Sequence, residues 1–360
     1  MYSLIRPLLF RLDPERAHDI VINTLAALSG SAMAMRAMRA RRRPLDTDPA
    51  VFMGLTAANG IGLAAGLDKD ARAYPALRAL GFGWIEVGTV TPRPQPGNTR
   101  PRLFRLERDR ALINRLGFNS CGVDRFIANL APRRARYDSI LGVNIGKNAQ
   151  TPMEHAEDDY LYALEKVYPY ADYVTVNISS PNTRSLRELQ HVERLKVFID
   201  ALLDRRDALA AAVGRRLPIA LKLSPDITDD ELPALCELLR DHTIDGVIAT
   251  NTTVSRPPDL QSPGRGESGG LSGRPLEPLA TRVVEALCGH LDERVPVIGA
   301  GGVEDGETAR RKLAAGACAL QCYTAFVYQG PSLIRRFQRP SAGGPPAHTA
   351  GRTDPPLPRR

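Results

Sequence analysis

The sequence predicts an α/β fold, a (β/α)8 TIM barrel carrying a small N-terminal two-helix extension. Three observations lead there. From about residue 60, eight short apolar, β-branched runs recur, most of them separated by helical stretches. The runs show no polar–apolar alternation, as in parallel strands buried on both faces. No GxGxxG turn follows any of them, which counts against the doubly wound sheet that competes for the same pattern. Eight strand–helix units over roughly 270 residues are what a barrel needs.

Ahead of the barrel, Ile5, Leu8, Leu9 and Leu12 fall at helical spacing, with Ser3 as candidate cap. Asp13-Pro14-Glu15 is a start signal: Asp as N-cap, Pro at the first helical position, Glu in the first turn. The stripe Ala17, Ile20, Val21, Thr24, Leu25, Leu28 comes next, with Gly30 as the stop. Such short helices need a surface to lie on. A flap packed on the main domain and an amphipathic pair at a membrane surface both satisfy the pattern. The strand runs are Ile61–Leu67, Trp84–Val90, Ile140–Ile145, Tyr173–Ile178, Ile219–Leu223, Gly246–Thr250, Val295–Gly299 and Ala319–Cys322. Helical stretches are expected at 155–167, 185–213, 229–241, 276–291 and 305–315. Two long Pro-, Gly- and Arg-rich connections, 91–118 and 251–273, read as functional or mobile loops. The expected division is 1–43 extension, 44–338 barrel and 339–360 a disordered basic, Pro-rich tail.

The 360 residues carry a formal charge of +8, which raises the question of nucleic acid. The charge is concentrated at the ends: residues 1–43 and 335–360 each hold a net +5, and the middle is close to neutral. A basic groove through the fold is therefore not expected, nor a nucleic-acid partner. No uninterrupted apolar run reaches the length of a membrane span. The N-terminus lacks the pattern of a secretory signal or a transit peptide. Five scattered cysteines without paired spacing argue against a disulfide framework and a thiolate metal site, and fit a reducing compartment.

In a barrel the C-terminal strand ends carry the chemistry. Read in order they give Ala65 to Lys69, Thr89, Asn144, Asn177 to Asn182, Lys222, Thr250 to Thr252, Gly299 to Gly302, and Tyr323-Thr324. No acidic pair and no His appears, which argues against glycoside hydrolysis by paired carboxylates and against metal-dependent hydrolysis. Amides, hydroxyls and two lysines suit a planar, polar, anionic ligand such as a flavin or a pyrimidine. Glycines on the seventh strand end and Tyr-Thr on the eighth stand where barrels commonly hold a phosphate.

The motifs LDPERAHD, GLAAGLDKD, GTVTPRPQPGN followed by PRLFRL, INRLGFNS, NIGKN, NISSPNT, DGVIATNTT and GGLSGRPL, with the final Gly-Gly and Tyr-Thr pairs, span about residues 1–338. In these the sequence resembles the quinone-dependent, membrane-associated class 2 of the dihydroorotate dehydrogenases. The resemblance implies one FMN per chain, held by Ala65, Gly66, Leu67, Asp68, Lys69, Thr89, Asn144, Asn177, Lys222, Thr250, Gly273, Gly302, Tyr323 and Thr324. It implies a dihydroorotate site of Lys69, Asn114, Arg115, Leu116, Gly117, Phe118, Asn177, Asn182, Asn251 and Thr252. Ser180 matches the catalytic base, where the soluble classes carry Cys. His18, Arg105 and Tyr323 match the quinone tunnel whose mouth the N-terminal helices form. The activity so implied is oxidation of dihydroorotate to orotate in pyrimidine synthesis, with a quinone as acceptor, at the cytoplasmic face of an anionic membrane.

The implied chemistry has Ser180 removing the C5 proton, the C6 hydride passing to the flavin, and Lys222 stabilising the charge that develops. One departure from the pattern is Ala325, where many bacterial members carry Gly. Two rivals stand beside this reading. A flavin barrel reductase acting on a pyrimidine ring in RNA is opposed by the NISSPNT serine and the N-terminal extension. A non-catalytic membrane-binding module is opposed by retention of both lysines and all four substrate amides.

Overall fold

The eight apolar runs form the eight staves of a closed barrel in which every neighbouring pair is parallel. The computed structural model describes residues 2–41, 49–134, 137, 139–183, 186–291 and 294–337. Helices α1 (Tyr2–Arg11), α2 (Pro14–Ser29) and α3 (Ala32–Arg41) come first, then a hairpin of β1 (Ala50–Phe52) and β2 (Leu55–Ala57). The chain continues through β3 (Ile61–Leu63), α4 (Tyr74–Ala79), β4 (Trp84–Val90), β5 (Leu103–Leu106), β6 (Ala111–Asn114), α5 (Val123–Arg134), β7 (Leu141–Ile145) and α6 (Ala156–Val167). It then runs β8 (Tyr173–Asn177), α7 (Val192–Val213), β9 (Ile219–Leu223), α8 (Leu232–Asp241), β10 (Gly246–Ala249) and β11 (Gly270–Gly273). It ends with α9 (Glu277–Leu291), β12 (Val297–Gly299), α10 (Gly306–Ala314), β13 (Ala319–Cys322), α11 (Thr324–Gln329) and α12 (Ser332–Arg336). Around the barrel the order is β3-β4-β7-β8-β9-β10-β12-β13, closing back on β3.

The β1–β2 hairpin closes the N-terminal mouth. Its tip is Met53-Gly54, both at positive φ (51° and 74°), the two-residue turn whose twist suits flanking strands. Phe52 lies 4.7 Å from the Trp84 ring and 6.1 Å from Tyr173, and these join Ile248 and Ile298 in an apolar plug. Gly62 on the neighbouring strand leaves room for Trp84; a Cβ there would come within 2.1 Å of the indole.

Four local expectations need correction. The two long connections are not merely loops: β5, β6 and β11 pair antiparallel in a sheet contributed by both of them. The first strand stops at Leu63, and beyond it single bonds tie the chain to the flanking staves, Ala64 N–H to the Cys322 carbonyl (3.1 Å) and Gly66 N–H to the Gly88 carbonyl (2.7 Å). The extension holds three helices, not two. α3, AMAMRAMRAR, lacks a branched apolar stripe, yet Ser31 Oγ accepts from the Ala34 N–H (3.2 Å) and Met35 packs on Ala76 and Ala79 of α4. Ser3, expected as a cap, lies inside α1. Asp13 caps α2 as expected, accepting from the N–H groups of Glu15 (3.1 Å) and Arg16 (3.0 Å). The boundaries at 43/44 and 338/339 and the 339–360 tail lie outside the described residues.

α2 is bound to the barrel by a buried ion pair as well as by Ile22 and Ala26. Arg102 Nη2 donates to Glu15 Oε1 at 2.7 Å and its Nε to both carboxylate oxygens at 3.2 Å, while Arg100 adds a fourth contact at 2.9 Å. Burial raises the Glu15 pKa, but hydrogen bonds and charge from Arg102 and Arg100 outweigh it and hold the carboxyl below its ordinary value. A depressed carboxylate contributes its full stability above about pH 4.3 and loses it as pH falls through the folded value. Glu15→Gln strands a buried guanidinium, so urea unfolding near neutral pH should show a loss of about 3 kcal/mol. The variant should also lack this group's share of the acid-side decline.

Candidate active site

Polar side chains converge where the C-terminal strand ends meet the β5–β6–β11 sheet, and they line one cavity. From the barrel come Thr89, Asn177, Lys222, Thr250 and Asn251; from the sheet and its flanks come Leu112, Asn114, Ser272 and Gly273. Asn177 is the hub. Its Nδ2 donates to Thr89 Oγ1 (3.2 Å) and Asn144 Oδ1 (3.3 Å), and its Oδ1 accepts from Asn251 Nδ2 (3.3 Å). Thr89 Oγ1 in turn donates to Asn144 Oδ1 at 2.6 Å. Across the cavity Asn182 Nδ2 donates to Asn114 Oδ1 at 3.1 Å, joining the β8 loop to the end of β6. These amides are mutually oriented, which fixes their donors and acceptors before any ligand arrives.

Two lysines face this amide ring. Lys222 is 6% exposed, and its ammonium has no hydrogen-bond partner among the described residues. Burial lowers its pKa, and the Glu86 carboxylate works against that. Lys69, bonded to Asn119 Oδ1, is lowered to about 8, chiefly by burial and then by the charge of Arg102. Ser180, 6% exposed, borders the same cavity; its Oγ accepts from the Asn182 N–H at 3.3 Å and donates to no described acceptor. At the far end, the backbone N–H groups of Gly301, Gly302, Tyr323 and Thr324 make no hydrogen bond within the described chain. Free N–H groups beside Ser272 and Thr324 hydroxyls (2.9 Å apart) suit a phosphate. Neutral amides, an unpartnered ammonium and this N–H cluster together fit a flat heterocycle with a phosphate tail.

A smaller cavity adjoins it, lined by Glu15, His18 and Ile22 of α2 on one side and by Gly66 to Asp70 and Asn119 on the other. Gly66, Lys69, Leu103, Leu116 and Tyr323 border both spaces. His18 Nε2 is 2.8 Å from the Leu67 carbonyl, so this His is engaged with the barrel rather than with solvent.

Most of the residues expected from sequence meet at these two cavities. Leu67 and Asp68 border the smaller one, where Asp68 accepts from the N–H groups of Arg72 (2.8 Å) and Ala73 (2.7 Å). Asn144 stands behind Thr89 and Asn177 rather than on the cavity wall. Arg115 points away from its neighbours Asn114, Leu116, Gly117 and Phe118: it pairs with Glu267 at 2.6 Å and lies 4.5 Å over the Phe104 ring. Arg105 borders neither cavity. It donates to the Leu9 and Leu12 carbonyls and lies 4.7 Å over Phe10, fastening α1 to β5. Residues not expected are Arg110, Arg274 and Glu304 on the cavity wall, Arg110 paired with Glu304, and Glu86 below it. Glu86 left a signal, a lone acid inside an apolar strand run.

A family model described as dihydroorotate dehydrogenase matches residues 49–340. A Burkholderia multivorans protein named dihydroorotate dehydrogenase (quinone) is 51% identical over 334 residues, covering 93% of this chain and 95% of its own length. A Burkholderia thailandensis protein of the same name is 49% identical over 344 residues, covering 96% and 98%. Among solved structures, the Eimeria tenella DHODH in complex with ferulenol aligns with a TM-score of 0.80 at 38% identity, over 91% of this chain and 90% of its own. The ligand-free form of that protein aligns with a TM-score of 0.80 at 39% identity.

Proposed function

The chain belongs to the dihydroorotate dehydrogenase family, in its quinone-dependent class 2, and we propose that it oxidises (S)-dihydroorotate to orotate with FMN as prosthetic group and a membrane quinone as acceptor. The step serves pyrimidine nucleotide synthesis. The observation that carries this reading is the unpartnered Lys222 ammonium facing Asn177, Asn251, Asn182 and Ser180 in one cavity, with free backbone N–H groups at its other end.

FMN, when bound, supplies the acceptor for the hydride leaving C6 of dihydroorotate and passes the electrons on to the quinone. Lys222, Thr89, Asn177 and Thr250 would hold its ring, Gly302, Tyr323 and Thr324 its phosphate. Dihydroorotate would lie against Asn114, Asn182, Asn251 and Lys69, whose amides fork onto ring N–H and carbonyl groups while the ammonium meets the carboxylate. Ser180 Oγ would take the C5 proton; its one bond, accepted from the Asn182 N–H, leaves a lone pair for that task. The Lys222 ammonium would stabilise negative charge as it develops in the ring above it. β6 and the β8 loop would cover the substrate and exclude water.

The smaller cavity against α2 would admit the quinone, with His18 and Tyr323 at its walls. No single helix among the described residues is long and apolar enough to cross a membrane. The extension nevertheless exposes Leu4 (78%), Leu8 (63%) and Met33 (82%) beside its arginines, a surface suited to lying on anionic lipid at the cytoplasmic face.

A visible spectrum of the purified protein tests the reading. A flavin spectrum that bleaches when dihydroorotate is added without oxygen, and recovers with a quinone, is the expected result. A protein without flavin, or with flavin that dihydroorotate does not bleach, would end it.

A further inference from the structure

Glu86 is fully buried on the inner wall of β4, and the chemistry proposed for the cavity makes no use of it. Its Oε1 accepts from Asn144 Nδ2 at 2.8 Å. Its Oε2 accepts from Tyr173 OH (2.8 Å), Thr175 Oγ1 (3.1 Å) and Gln321 Nε2 (2.8 Å). Among the described residues four donors converge on the carboxyl group and no acceptor does, a set that suits a carboxylate. The Asn144 amide cannot turn over to supply an acceptor, because its Oδ1 is already engaged by Thr89 and Asn177. Glu86, Thr175 and Gln321 come from β4, β8 and β13, alternate staves of the barrel, and Tyr173 reaches the carboxylate from the plug. Trp84, two residues earlier on β4, already belongs to the apolar plug. Lys222, on β9 in register with Asn177, stands on the cavity side and makes no direct bond to the carboxylate.

A carboxylate with hydrogen bonds but no bonded counter-charge is costly between an apolar plug and a cavity floor, and an apolar side chain of similar size would fill that space without the cost. Lys222 accounts for it. Desolvation disfavours the ammonium, and Glu86 is the charge that offsets it. The other charged and titratable groups bordering the cavity, Lys69, Arg110, Arg274, Glu304, Cys322, Tyr323 and Tyr328, do not act on it in that way. On the far side of Glu86, the Tyr173 phenol is held protonated, by burial first and then by the carboxylate it donates to.

We infer that Glu86 is a positioning residue of the reaction: its buried carboxylate is the counter-charge for the cavity-facing Lys222 and fixes the Asn144 amide, and through it the hydrogens of Thr89 and Asn177. The inference rests on the FMN reading, since Lys222 and the amide ring act on the substrate pair only when the ring is bound.

The test is an alkaline titration of the oxidised holoprotein, followed by flavin absorption without turnover. Lys222→Met identifies the inflection that belongs to Lys222, by its loss. Glu86→Gln, which keeps the shape and removes the charge, should move that inflection down by about one pH unit. Tyr173→Phe, which deletes one hydrogen bond and keeps the anion, should leave it in place. An unmoved inflection in Glu86→Gln, or an equal displacement in Tyr173→Phe, overturns the inference. A second measurement uses the FMN-free protein in urea: Glu86→Gln/Lys222→Met should regain stability that Glu86→Gln alone loses. A double variant no more stable than Glu86→Gln would show that Glu86 does not serve the lysine. A wild-type protein that carries no flavin would mark failure of the FMN reading instead, and the urea comparison would then decide the charge pairing by itself.

Discussion

Ser180→Ala is expected to slow reduction of the bound flavin by dihydroorotate by about 10²–10⁴-fold, the usual cost of removing a positioned base, while FMN stays bound. The serine follows β8 in Asn177-Ile178-Ser179-Ser180-Pro181-Asn182, and the amides on either side of it are held by other strands. Deleting one hydroxyl therefore leaves Asn177 on Thr89 and Asn182 on Asn114, and the substrate ring keeps its partners. Its own hydrogen is uncommitted and no described His, Asp or Glu bonds to it, so the hydroxyl is not activated by a standing neighbour. The loss should fall on the rate constant at saturating dihydroorotate, with little change in its apparent affinity. Stopped-flow bleaching without oxygen separates the two. Reduction at a near-normal rate would remove Ser180 as the base.

The barrel was legible because its signal is local. Each stave is a short run of residues buried on both faces, and each run ends in polar residues that a buried strand would not otherwise carry. The β5–β6–β11 sheet was not legible for the opposite reason. Gly270 to Gly273 is a strand only because it pairs with Asn114 to Ala111, more than 150 residues away, and its glycines carry no strand preference of their own. The same pairing explains Arg115. It follows the strand residue Asn114, and neighbouring side chains of an extended chain face opposite ways, so one faces the cavity and the next Glu267. His18 sits beside Arg16 and Asp19 on a helix flank, a setting that by itself marks a solvated surface; what engages it is a carbonyl from a loop 49 residues on. Glu86 was visible as an anomaly, but its meaning depends on β7, β8, β9 and β13 arriving around it.

Removing residues 1–43 is expected to abolish turnover with a long-chain quinone while flavin reduction by dihydroorotate stays largely intact. The main cavity takes no wall from the three helices, so Ser180, Lys222 and the four amides keep their surroundings. The smaller cavity loses Glu15, His18 and Ile22, one entire side, and with it the enclosed route to Tyr323. Loss of the helices also removes the exposed Leu4, Leu8 and Met33 surface that would hold the enzyme against lipid, where the quinone is dissolved. The barrel itself must survive the deletion. Arg102 would lose Glu15, but it keeps its bond to the Asn98 carbonyl and gains water once α2 is gone. The apolar surface uncovered lies around Ala76 and Ala79 and where Ile22 and Leu25 packed. Two acceptors distinguish the possible failures. A water-soluble dye that takes electrons from the open mouth should still support turnover by the truncated protein, whereas a quinone in vesicles should not. Loss with both acceptors, together with loss of bleaching by dihydroorotate, would mean that the helices brace the barrel and do not serve the quinone. Turnover with vesicle quinone at the wild-type rate would mean that electrons leave the flavin by another path.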